Sequence, residues 1–311
     1  MLLKPADDKS EQINLLESLS KASNIQNASR DRICKELFML KAGIKGEQDS
    51  AYEIDFYFGK SKNWMVIHDL RLECDGRVAQ IDHLLISRFL ECYVVETKNY
   101  STSIEISEKG EFTRTDDARS FGIASPIEQN NKHIEVLRSM FEKLADKLPK
   151  RIGIKLMPEY KNIVLFSKAA QIKRPVKFDT SSVMKAEQFK SWIDEDRNNP
   201  SPSVKDFIQV AKVVSSETIT DLGLRLVARH KPIIPDYYAK FGLTESDLSV
   251  QQESNKYEVA SAIQINEKIL DKNYWCASCR AKITERAAKF CWDNKQRFGG
   301  RAYCMSCQKT Y

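Results

Sequence analysis

Between residues 64 and 98 the chain changes its hydrophobic period, and no other feature limits its fold as tightly. Upstream, Ile33, Leu37, Leu40 and Ile44 recur at helical spacing. Downstream come three runs rich in Val, Ile, Leu and aromatic residues: 64–72 (WMVIHDLRL), 78–87 (VAQIDHLLIS) and 91–97 (ECYVVET). Such runs pack as strands, and only a few residues separate them. The first gap holds Cys74-Asp75-Gly76-Arg77, where Asp-Gly is a turn signal. Three neighbouring strands behind a helix exclude an all-helical bundle.

The rest of the chain extends this pattern. Residues 103–107 read as a fourth strand. Ser125-Pro126 opens a helix over 126–147, with Ser125 as N-cap and Glu128 at the capping-box position. Residues 162–167 (NIVLFS) and 182–185 read as short strands, and a helix follows through Trp192. Helix, three strands, helix, strand is an α/β order that predicts a mixed sheet flanked by helices. Gly43 and Gly46 predict a break in the first helix, with a second helix over 47–58. Residues 1–28 read as an N-terminal helical extension, 29–198 as the main domain, and 199–246 as a small helical segment. Residues 247–271 read as a polar linker and 272–311 as a cysteine-rich module.

Charge separates that module from the rest. The net charge is +6, yet the last 40 residues hold nine Lys and Arg against two acidic residues. The remaining chain is therefore close to neutral, and a polyanion is the expected partner of the tail. The N-terminus has no apolar stretch of signal-peptide type. The richest apolar run, 81–95, is interrupted by Asp82, Arg88 and Glu91, so no membrane span or membrane partner is expected. A cytoplasmic location follows as an expectation, with Cys34, Cys74 and Cys92 as free thiols.

Candidate chemistry sits at the strand ends. Glu96 and Lys98 are two apart on a strand and share a face, while Thr97 points the other way and can offer its carbonyl. Asp82 lies on the preceding strand and can approach Glu96 if the two pair. Two carboxylates and a carbonyl suit Mg²⁺ or Mn²⁺, which favour oxygen ligands and retain waters. An adjacent lysine could neutralise developing charge. A lone Glu-x-Lys pair is usually a solvated salt bridge. His83 alternates to the opposite strand face and reads as a packed histidine, and His68 and His133 lack a partner set that would define a metal site.

Several short motifs strengthen the functional reading: Gly43-Ile-Lys-Gly46-Glu47, Val66-Ile-His-Asp69-Leu, Gln80-Ile-Asp82-His83-Leu, Val94-Val-Glu96-Thr-Lys98-Asn-Tyr100 and Ser125-Pro-Ile-Glu-Gln129-Asn. Together they resemble the NERD (nuclease-related) domain of the PD-(D/E)xK restriction-endonuclease-like superfamily, from residue 42 to 192. The resemblance implies a restriction-endonuclease-like mixed sheet flanked by helices and Mg²⁺-dependent hydrolysis of DNA phosphodiesters. It implies Asp82 and Glu96 as metal ligands and Lys98 as the catalytic lysine. It further implies Glu47 as an additional acid on the first helix and Gln129 as a helix residue that positions substrate or the lysine. Glu47 is otherwise an ordinary acidic residue of a helix start, and Gln129 an ordinary surface residue.

In the tail, Cys276-Ala-Ser-Cys279 and Cys304-Met-Ser-Cys307 form two C-x-x-C knuckles. Four thiolates in that arrangement suit tetrahedral Zn²⁺, and the tail resembles a treble-clef or ribbon-type zinc finger. Cys291 either replaces a ligand or sits beneath the finger as a small hydrophobe. Basic residues interleave with Tyr274, Trp275, Phe290, Trp292, Phe298 and Tyr303, so the aromatics divide between stacking on nucleic acid and filling a mini-core. The leading expectation is a metal-dependent deoxyribonuclease with a basic zinc finger that assists DNA binding. The competing one is an inactive DNA-binding or protein-interaction adaptor on the same fold.

Overall fold

The computed structural model describes residues 1–116, 119–197, 213–244 and 274–310. The linker expected at 247–271 and the stretch 199–212 lie outside these. The chain divides into two units, one of Met1–Lys21 and Ile25–Leu243, the other of Ala22–Asn24 and the cysteine-rich C-terminus from Thr244.

The first unit is built on a six-stranded mixed sheet. Its strands are β1 (Leu2–Lys4), β2 (Trp64–Cys74), β3 (Arg77–Ser87), β4 (Glu91–Lys98), β10 (Glu159–Phe166) and β12 (Val183–Lys185), in that spatial order. β2, β3 and β4 form an antiparallel meander, and β1, β10 and β12 join in parallel at its two sides. A smaller sheet contains β5 (Ser103–Ile106), β6 (Phe112–Asp116), β7 (Arg119–Ile123) and β11 (Gln171–Lys173). A two-residue-strand hairpin, β8 (Lys150–Arg151) and β9 (Ile154–Lys155), completes the unit's strands.

Helices cover both faces of the main sheet. On one side α3 (Pro126–Lys143) and α5 (Ser216–Val227) bury Leu137, Phe141, Leu222 and Leu226 against Ile67, Leu84 and Val94. On the other, α2 (Asn27–Phe58) and α4 (Phe189–Arg197) bury Ile54, Phe58, Phe189 and Ile193 against Val66, Leu85 and Val95. Alternate residues of each central strand thus serve opposite cores, which is why the strands read as nearly continuous apolar runs. The mixed α/β class agrees with the sequence. Ser125 caps α3 by accepting the Glu128 N–H at 3.4 Å, with Pro126 in the first turn. α1 (Ser10–Lys21) packs on α2, and α6 (Tyr237–Phe241) also contacts α2.

The expected helix break at Gly43 and Gly46 does not occur, because α2 runs unbroken for 32 residues. Gly46 has a packing role instead. A Cβ there would lie 2.4 Å from the Asn99 Cβ, so its absence lets α2 approach the end of β4. Asn99 Nδ2 then donates to the Ala42 carbonyl at 2.7 Å. The N-terminus also exceeds its expected helical character, since β1 extends the main sheet beside β2. Among the described residues no helix is long and apolar enough to cross a membrane.

In the second unit, β13 (Tyr274–Trp275) pairs with β14 (Lys282–Ile283) and is followed by α7 (Glu285–Asp293) and α8 (Lys295–Phe298). The helices lie in sequence between the two cysteine knuckles. A core of Ile283, Ala288, Cys291, Phe298 and Tyr303 packs beneath the cysteines.

Candidate active site and cysteine centre

Strand alternation sets the site. The β3–β4 register places His83 across from Val95 and Leu84 across from Val94. Glu96 and Lys98 therefore share the face that carries Val94, beneath α3, whereas Ile81 and Leu84 both enter that core, so the alternation of β3 breaks at Asp82–His83. His83 and Thr97 occupy the face beneath α2. Asp82 Oδ2 accepts the Thr97 N–H at 2.8 Å, which closes the strand pair. Lys98 Nζ lies 2.6 Å from Glu96 Oε1 and 3.0 Å from Gln129 Oε1 on α3. The second Glu96 oxygen, Oε2, is buried without a hydrogen-bond partner. His133 Nδ1 lies 3.6 Å from it and is likewise without a hydrogen-bond partner. His133 follows Gln129 by four residues and so shares its helix face, a spacing that could have placed it here from sequence.

The acids raise one another's proton affinity. Burial holds the Asp82 carboxyl well above the usual range, and the Glu96 and Glu47 charges add to this against the Thr97 N–H and Lys98. Burial raises Glu96 as well, opposed chiefly by Lys98. Glu47 is raised by burial, opposed chiefly by Lys9. Burial and the Lys98 charge depress His133 to about 4, so it is neutral at physiological pH. Crowded, poorly solvated carboxylates are relieved by protons or by positive charge, and carboxylate oxygens are the donors that a hard divalent cation takes.

Asp82 and Glu47 line one cleft of about 520 Å³ together with Asp69, Gln80 and Lys9. Pro232, Ile233 and Pro235 form an apolar wall of the same cleft. Gln129 and His133 line a second hollow of about 320 Å³ beside α3. Asp69 was not singled out from sequence. It is buried in the left-handed region at φ +53°, a conformation Asp tolerates better than most residues. The turn at Asp69 directs the His68 and Asp69 carbonyls to Lys4 Nζ, each at 3.1 Å.

On the α2 face, His83 Nε2 lies 3.2 Å from Thr97 Oγ1, and His83 Nδ1 lies 2.8 Å from His68 Nδ1. His68 Nε2 reaches Asp55 Oδ1 on α2 at 3.1 Å. His83 is fully packed within this chain.

In the C-terminal unit the sulfurs of Cys276, Cys279, Cys304 and Cys307 all lie within 4.8 Å of one another. Zn–S bonds of about 2.3 Å in a tetrahedron separate sulfurs by roughly 3.8 Å, so this group could hold such an ion. The Cys279 N–H draws the Cys276 thiol down to about 6, and the Cys307 N–H lowers Cys304. In each knuckle the second residue's amide thus favours the first residue's thiolate. Cys291 is not in the cluster. Its buried Sγ accepts from Tyr303 N at 3.4 Å and Gln308 Nε2 at 3.2 Å, bracing the second knuckle from below. Phe298 and Tyr303 are core, Tyr274 meets Trp292 edge-on at 5.5 Å, and Trp275 and Phe290 are exposed.

Residues 42–167 match the family model of NERD, the nuclease-related domain, a span that contains Glu47, Asp82, Glu96, Lys98 and Gln129. Neither the curated proteins nor the solved structures yield a match to this chain.

Proposed function

We propose that the chain is a metal-dependent deoxyribonuclease that hydrolyses DNA phosphodiester bonds. Asp82, Glu96 and the Thr97 carbonyl hold Mg²⁺ or Mn²⁺, and the C-terminal unit carries Zn²⁺ on Cys276, Cys279, Cys304 and Cys307. The observation that carries this reading is the buried Glu96 carboxylate, paired on one oxygen with Lys98 and unpartnered on the other, beside Asp82. A divalent ion there supplies charge for the phosphoryl oxygens and lowers the pKa of a bound water. Thr97 N–H fixes Asp82, so one acid is oriented by the backbone of the other's strand. Lys98, held between Glu96 and Gln129, keeps its ammonium in the site to meet negative charge that develops on the phosphate. Neutral His133 leaves the Glu96 charge intact.

DNA binding is assigned mainly to the basic C-terminal unit, with exposed Trp275 and Phe290 available to stack on bases. The decisive experiment incubates the full chain with linear and circular DNA and Mg²⁺ or Mn²⁺. Wild type should cleave and Glu96→Ala should not. DNA binding without cleavage would favour the adaptor reading, and equal cleavage by Glu96→Ala would place the centre elsewhere.

A further inference from the structure

Lys9 stands in the same cleft and is unused by the reading above. Its Nζ lies 3.0 Å from Glu47 Oε2 and 3.2 Å from Asp69 Oδ2, bridging acids from α2 and β2. The side chain is about one-fifth exposed, so the contact is not a solvated surface pair. Its position is built by several contacts. β1 pairs with β2, and Lys4 Nζ joins Asp7 Oδ1 at 2.6 Å while binding the His68 and Asp69 carbonyls. Asp7 donates its N–H to Asp69 Oδ2 at 3.3 Å and meets His230 Nε2 at 2.9 Å through Oδ2. Asp69 Oδ1 is taken by Gln80 Nε2, leaving Oδ2 to the N-terminal segment and Lys9.

We propose that Lys9 is a resident cation of this centre, taking between Glu47 and Asp69 the place that a second divalent ion would occupy. This rests on the metal-centre reading above and specifies its stoichiometry. Glu47, Asp69, Asp82 and Glu96 supply four carboxylates, and Lys9 and Lys98 supply two ammonium groups. Among these six groups two negative charges remain when all are ionised, which one divalent ion offsets; Asp7, which lines the same cleft, is paired with Lys4, and Asp8 there is exposed. Oxygens that a second ion would need are instead spanned by an ammonium, which donates hydrogen bonds but cannot activate a water as a metal does. Burial disfavours the Lys9 charge, but the Glu47 and Asp69 carboxylates outweigh it and raise the group's proton affinity. Lys9 therefore remains a cation throughout the pH range in which the site can work. It is a positioning residue for Glu47 and Asp69.

The test is calorimetric Mn²⁺ titration of the zinc-loaded full chain, with Lys9→Met and Lys9→Gln as neutral variants and Lys9→Arg as the charge-keeping one. Circular dichroism checks that each is folded. Wild type and Lys9→Arg should take up one equivalent outside the cysteine centre. Lys9→Met and Lys9→Gln should take up a second, or bind the first roughly tenfold more tightly as one cationic neighbour is lost. Adding Asp69→Asn to Lys9→Met should abolish that gain. One equivalent with unchanged affinity in both neutral variants overturns the inference alone. No uptake by wild type overturns both the metal-centre reading and the inference that rests on it.

Discussion

Gly43 and Gly46 lie three residues apart in the same unbroken helix, and alanine should act at them with opposite sign. At Gly43 an added Cβ meets only Glu47 Oε1, at 4.0 Å, so Gly43→Ala fills open space. It should stabilise the chain by about 0.5–1 kcal/mol through the lower backbone entropy of the unfolded state. At Gly46 the Cβ falls 2.4 Å from the Asn99 Cβ and 3.4 Å from the Asn99 Cα. Ordinary carbon contact needs roughly 3.5–4 Å, so helix and strand end must part by about 1 Å. Overpacking of this kind costs about 1–3 kcal/mol, and the same helix preference offsets part of it. Subtracting the two variants removes the propensity contribution, and Gly46→Ala should be less stable than Gly43→Ala by about 1–3 kcal/mol. Urea unfolding followed by far-ultraviolet circular dichroism, with a common slope, measures this difference. Gly46→Ala should also weaken Mn²⁺ uptake, because Glu47 is the next residue. Equal stability of the two variants would refute the close-packing account.

Three further outcomes follow from the same geometry. Lys98→Ala should retain or tighten Mn²⁺ binding while cleavage falls roughly 10²–10³-fold, as for loss of one charge stabiliser; calorimetry beside a cleavage assay separates this from Asp82→Ala, which should lose both. Asp82, Glu96 and Glu47 hold protons more tightly folded than unfolded, so their contribution to metal-free stability is complete below the unfolded carboxylate pKa values and is lost as pH rises through the raised folded ones. Mg²⁺ competes with those protons, so its gain in melting temperature should be larger at about pH 8 than at about pH 5, and a gain independent of pH would contradict this. Cys276→Ser should release zinc and unfold the C-terminal unit while leaving Mn²⁺ uptake intact, read by metal analysis and titration, and zinc content equal to wild type would place the ion on other ligands.

The central strands were legible because their signal is local. Two-sided burial makes most of β2, β3 and β4 apolar, and Asp75-Gly76 marks the turn where both residues adopt positive φ. β1 escaped notice because three residues carry no period, and β6 (FTRTD) because its residues are mostly polar. The glycines of α2 were misread because propensity is a local quantity, whereas Gly46 answers to Asn99, more than fifty residues away. The same distinction divides the site. Asp82, Glu96 and Lys98 lie on one strand pair, so pairing brings Asp82 to the Thr97 N–H and alternation sets Lys98 beside Glu96. Lys9 and Asp69 meet Glu47 only through the β1–β2 pairing and a left-handed residue, neither of which leaves a repeating pattern.

Thr97 ties the histidine chain on the α2 face of the sheet to Asp82. Burial keeps the His83 imidazole toward its neutral form, so one of its ring nitrogens donates and the other accepts. His83 Nδ1 meets His68 Nδ1, His83 Nε2 meets the Thr97 hydroxyl, and His68 Nε2 reaches Asp55. A neutral His83 thus couples the two bonds, and the direction of the His68 bond sets the direction of the Thr97 bond. The Thr97 side chain is thereby braced to α2, while its N–H is bound to Asp82 on the neighbouring strand. Asp55 lies two helical turns beyond Glu47, so α2 sets both the acid that lines the cleft and the brace behind the strand that carries Glu96. A displacement of α2 at Gly46 therefore reaches the candidate centre by two routes, one through Glu47 and one through Asp55, His68, His83 and Thr97.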